Sequence, residues 1–86
     1  MAIYPRLVAR PYSGNDKGKQ IEYEAILNLA GRIEEYMAAR MSEGEVRTFH
    51  ASDVARDLGA SEEWVRDIFS YTTGDPRAIT VRKTQE

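Results

Sequence analysis

The sequence predicts a mainly α protein with a small antiparallel sheet, and three observations carry that expectation. Residues 20–41 hold one long apolar stripe at helical spacing. Residues 51–71 read as two short helices on either side of a glycine turn. Residues 46–50 and 78–82 are short segments whose β-branched content suits strands. At 86 residues the chain can bury one core and is too short for two.

The N-terminal residues 3–8 are apolar but interrupted by Pro5, which lacks a backbone donor, so a strand here belongs at a sheet edge. Residues 11–19 are rich in glycine, proline and short polar residues and predict a basic loop. We divide the chain into an arm with an edge strand and loop (1–19), a folded domain (20–83) and a polar tail (84–86). In the long helix over 20–41, Ile26, Leu29, Ile33, Met37 and Met41 recur at steps of three and four, and Ala25, Ala30 and Tyr36 widen the stripe. Glu22, Glu24, Arg32, Glu34, Glu35 and Arg40 take the wet side. Gly31 costs that helix about 1 kcal/mol against alanine and would permit close approach of another helix. Residues 42–45 turn the chain into the strand at 46–50.

The two short helices carry the most specific signal. Ala55 is small enough for a crossing helix, and Gly59 follows Leu58 where only glycine takes a left-handed backbone without steric cost. Ser61 is placed to cap the next helix, with Glu62 and Glu63 in its first turn, where carboxylates favour the helix dipole. Val65, Ile68 and Phe69 share one face and would pack on Val54, Ala55 and Leu58. Counted from Ala55, the glycine lies four residues on, Val65 ten on and Ile68 thirteen on.

At these positions the chain resembles the helix-turn-helix proteins. Its order of helix, strand, helix, turn, helix and strand resembles the winged-helix branch of that superfamily over residues 20–83. The resemblance implies a DNA-binding regulator of transcription, a dimer on a two-fold site, with a recognition helix over about 62–71 and a strand hairpin, the wing, behind it. Little room remains between Phe69 and Ala78, so either the wing is short or residues 79–82 pair directly with 48–50. The segment at 3–8 could add a further strand. Glu62, Glu63, Arg66, Asp67 and Ser70 would then face the groove, with Arg66 suited to guanine, and Arg77, Arg82 and Lys83 would hold the DNA backbone from the wing.

The charge balance pulls the other way. The formal net charge is −2, whereas a free-standing DNA-binding domain carries a basic face. Positive charge collects at the ends, in Arg6, Arg10, Lys17 and Lys19 and in Arg77, Arg82 and Lys83, around an acidic middle. The groove-facing helix sets three carboxylates against Arg66, and that arginine can equally pair with Glu62 or Glu63 on a solvated face. The alternative function is therefore a winged helix used for protein–protein interaction, as an assembly subunit or a phage or plasmid protein that binds a host factor. Trp64 reads as a half-buried core aromatic, or as an anchor for such a partner. Tyr23 and Tyr36 would mark a homodimer face on the helix 20–41, or pack within the domain. Tyr71, Thr72 and Thr73 would donate to phosphates, or bond the local backbone.

Other classes find little support. The chain has no cysteine, so thiol chemistry, disulfides and cysteine-type zinc sites are excluded. His50, the single histidine, has only Asp53 near it and reads as a strand-end or helix-capping residue. The pairs Glu34–Glu35 and Glu62–Glu63 diverge on a helix and form no carboxylate dyad, and no phosphate-binding glycine loop appears. The expectation is a protein that is not an enzyme and holds no cofactor or metal. No apolar run reaches membrane-spanning length, and residues 1–12 lack the apolar block of a signal peptide, which makes the cytoplasm the default compartment.

Overall fold

The computed structural model describes residues 2–12 and 14–84, so Met1 and Ser13 of the arm and Gln85 and Glu86 of the tail lie outside the described residues. The elements run β1 (Ala2–Tyr4), α1 (Lys17–Arg40), β2 (Val46–His50), α2 (Ala51–Leu58), α3 (Glu62–Thr73) and β3 (Ala78–Thr84). Three helices pack on one face of a three-stranded antiparallel sheet of order β1-β3-β2. No helix among the described residues is long and apolar enough to cross a membrane.

Helix α1 begins three residues before the expected start, because Asp16 caps it. The Asp16 carboxylate accepts from the Gly18 and Lys19 amides at 2.9 and 3.3 Å. The predicted stripe is the buried one from Leu29 onward: Leu29, Ile33, Met37 and Met41 are in the core, and Ile26 packs at its margin. Residues 17–28 include no buried side chain, so the first turns of α1 extend past the core. Gly31 does not admit a second helix. It is exposed, and a Cβ there would meet nothing within 4 Å.

The α2–turn–α3 unit forms as its residues require. Gly59 ends α2 with φ 64 and ψ 34, and the Ala60 amide donates to the Ala55 carbonyl at 2.9 Å. The Ser61 hydroxyl accepts from the Trp64 amide, and Val65, Ile68 and Phe69 are wholly buried against Val54 and Ala55. Helix α3 runs on to Thr73 and stops at Gly74, whose φ of 92 only glycine takes without strain.

The sheet settles the question of the wing. Strand β3 pairs directly with β2, with Thr48 opposite Thr80 and Phe49 opposite Ile79. On its other side β3 pairs with β1, Ile3 opposite Lys83. The third strand thus comes from the N-terminus, and residues 74–77 are a plain turn, so the described residues contain no hairpin behind α3. Ile3, Ile79 and Val81 face the helices, while Tyr4, Val46, Thr48, Thr80 and Arg82 face outward. Leu7 and Ala9 of the N-terminal segment are buried as well. That segment is tied to α1 by Glu34, which accepts from the Leu7 amide at 2.9 Å and pairs with Arg6 at 3.1 Å. Glu34, expected on the wet side, is an anchor.

Candidate functional site

The outward side of α3 is where the sequence places its groove-facing residues. Burial of Val65, Ile68 and Phe69 turns Glu63, Arg66, Asp67 and Ser70 to solvent and leaves Glu62 half-buried. The five expected residues therefore share one helix side. The Arg66 guanidinium pairs with Glu62 at 2.9 Å along the helix, in an exposed pair that offsets its charge. Glu63 and Asp67 make no ion pair among the described residues. The N-terminal half of α1 runs beside this surface. Between the two helices opens a cleft of about 390 Å³ whose walls include Glu22, Glu63 and Asp67 and whose apolar lining is Ile26, Trp64 and Pro76. Trp64 is half-buried and packs against the core, and its exposed part lines this cleft.

The basic residues expected on a wing do not gather. Lys83, expected on the wing, is instead only 8 % exposed and faces the helices. Its ammonium donates to the Ala38 and Met41 carbonyls at 2.8 and 2.9 Å. Both carbonyls lie at the C-terminal end of α1, the negative pole of the helix, and the Met41 carbonyl has no other donor among the described residues, so a cation is stabilised there. Arg82 lies on the outer sheet face, between Tyr4 and Val46 in register. Since β3 and α3 meet through their buried sides, Arg82 and Arg66 point away from each other. Arg77 sits in the α3–β3 turn, exposed, with its backbone fixed by Asp75 and by the Ala51 amide.

Thr72, Thr73, Tyr23 and Tyr36 are engaged within the chain. Thr72 and Thr73 donate to the Ile68 and Phe69 carbonyls at 2.8 and 3.2 Å, bonds to the local backbone. Thr72 also accepts from the Val8 amide at 3.1 Å, while Tyr71 is exposed. Tyr23 stacks on Tyr12 at 6.1 Å, and Tyr36 packs edge-on to Phe49 with the Arg40 guanidinium over its ring at 3.7 Å. His50 is exposed at the end of β2 and precedes α2, but its side chain makes no capping bond.

Sequence reasoning missed a polar link between α1 and α2. The Tyr36 hydroxyl donates to Asp57 at 2.5 Å. Burial, then this bond, raises the Tyr36 phenol above its ordinary value. The Tyr36 bond, then Arg56, holds the Asp57 carboxyl below the ordinary range. Glu45 is lowered likewise, first by the Ser42 amide and then by Arg47. Arg32 adds a bond from α1 to the Leu58 carbonyl at 3.2 Å. No spacing rule joins residues 21 positions apart, although the placement of Tyr36 one step off the apolar stripe was a signal of a half-buried ring. Comparison with protein-family models, with curated proteins and with solved structures finds no match to this chain.

Proposed function

We propose that this chain is a winged-helix-like domain, with the wing strand replaced by an N-terminal one, that works by binding a protein partner in the cleft between α1 and α3. The observation that carries the reading is the charge state of that cleft. Its arginine is tied to Glu62, while Glu22, Glu63 and Asp67 leave it acidic. Such a surface repels phosphate and suits a basic segment of a partner, with an apolar side chain set on Ile26, Trp64 and Pro76. The burial of Lys83 removes one more cation from any phosphate contact.

A second reading, the DNA-binding regulator, is favoured by the α2–turn–α3 geometry and by Arg77 and Arg82, which are exposed and make no ion pair among the described residues. One pair of experiments separates them. Fluorescence anisotropy on a mixed-sequence labelled duplex at ~50 and ~200 mM salt reads phosphate contacts, whose loss with salt spans orders of magnitude. The protein-binding reading expects no salt-sensitive binding, together with a captured partner that the charge-reversed variant Glu63→Lys/Asp67→Lys releases. Duplex binding at low salt that vanishes at high salt, or a partner held equally by the reversed variant, overturns it.

A further inference from the structure

We infer that the free edge of β2 is a self-association surface, and that two copies of this chain pair β2 against β2 to form one continuous six-stranded sheet. Strand β3 engages only alternate backbone groups of β2. Lys83 donates to the Glu45 carbonyl at 2.9 Å, and Ala51 donates to the Arg77 carbonyl at 2.8 Å. With the observed register, the bonded positions of β2 alternate, so Arg47 and Phe49 face β3 through their backbone. The amides of Val46, Thr48 and His50 therefore point away from β3, and none of the bonds seen among the described residues engages them. They form a row of donors and acceptors at the spacing a further antiparallel strand needs.

Edge strands of stable monomers carry devices against such pairing: proline, a bulge, an exposed lysine or a covering loop. Within Val46–His50 there is no proline and no lysine. The bulge formed by Gly44 and Glu45 against Lys83 lies before the strand, leaving all five residues straight. The one full charge, Arg47, is neutralised by Glu45 at 2.7 Å.

The edge is also complementary to itself. A two-fold axis at Thr48 sets Thr48 against the partner's Thr48 and Val46 against the partner's His50, joining exposed faces that carry no carboxylate. On the inner side, Arg47 comes opposite the partner's Phe49. Its guanidinium lies 5.9 Å from the centre of the Phe49 ring in its own chain, and Phe49 itself is buried, so the pairing sets no like charges against each other there. An extended segment of an unrelated chain could use the amides but would match none of these side-chain pairs by symmetry.

Because the chain has no cysteine, a single introduced one reports this geometry. In the two-fold pair the Thr48 Cα atoms of the two copies are ~5.5 Å apart, within disulfide range. The Thr80 Cα atoms are three strand spacings apart, roughly 14 Å, far outside it. Under mild oxidation Thr48→Cys is expected to give a covalent dimer on a non-reducing gel, and Thr80→Cys, on the same sheet face, to give none. In light scattering the wild-type mass doubles with concentration, and Thr48→Pro, which removes the outward amide and the hydroxyl bond to Thr80 at 2.7 Å but none of the backbone donors to β3, stays monomeric. If Thr48→Pro loses its circular dichroism, Thr48→Lys, which sets two ammonium groups against each other across the axis, takes its place. A wild-type monomer at all concentrations, equal cross-linking of both cysteine variants, or a dimer that survives both Thr48 substitutions, as one built on α1 would, overturns the inference.

Discussion

Replacing Lys83 by methionine tests the packing of the whole sheet against α1. Methionine keeps much of the apolar stem and removes only the ammonium. The Ala38 carbonyl then retains the Met41 amide at 3.3 Å, whereas no second donor to the Met41 carbonyl is seen among the described residues. A hydrogen bond to a charged group contributes about 1.5–3 kcal/mol, and leaving its buried acceptor unpaired costs a similar amount. Against this stands the relief of no longer holding a charge at 8 % exposure. The balance is a loss of about 2 kcal/mol, and at about 4–8 °C per kcal/mol for a domain of this size the melting temperature falls by roughly 8–16 °C. Thermal unfolding followed by circular dichroism reads it. Because the pair is shielded from solvent ions, the drop is expected to be the same at low and high salt. A change of less than about 2 °C, or one that disappears as salt is raised, would refute the reasoning and return Lys83 to the surface.

Three further outcomes follow from the geometry. Gly31→Ala, on an exposed helix position with open space around it, is expected to raise stability by about 0.5–1 kcal/mol in urea unfolding, and no gain would mean that something packs there. Gly59→Ala forces a side chain into the left-handed region at φ 64 and is expected to lower stability by about 1 kcal/mol or more, with a neutral result contradicting that turn. Tyr36→Phe removes the bond to Asp57 and is expected to lower the urea midpoint near neutral pH. A depressed carboxyl stabilises above its unfolded value and loses that contribution as pH falls through the lower folded one, so the difference from wild type shrinks in acid, below the ordinary carboxylate range. The raised phenol stabilises below its ordinary value and loses that contribution as pH rises through the higher folded one, so the difference shrinks again in strong base. A gap that is constant across pH would count against the bond.

Local physics was legible in the residues themselves. The stripe through Leu29, Ile33 and Met37, the left-handed stop at Gly59, the Ser61 cap and the buried face of Val65, Ile68 and Phe69 follow from helical period and from backbone conformations that only some residues tolerate. Edge placement of the segment before Pro5 was legible too, whereas direct pairing of β3 with β2 was one of two alternatives the residues left open. The inward turn of Lys83 was half legible: Ile79, Val81 and Lys83 alternate along one face of β3, and the period of two sends all three to the core.

What made a buried ammonium tolerable was set elsewhere, by the end of α1 arriving over β3 with the Ala38 and Met41 carbonyls, of which the second has no other donor among the described residues. The candidate site divides in the same way. Sequence spacing alone put Glu62, Glu63, Arg66, Asp67 and Ser70 on one side of a helix. That Glu22 stands across from them, that Arg82 faces the opposite way, and that the N-terminus supplies the third strand and leaves β2 at the edge are decisions of the tertiary structure. The reason is range. Period, capping and turn preference act over a few residues, whereas strand order and the meeting of α1 with α3 depend on how all the apolar faces close over one core.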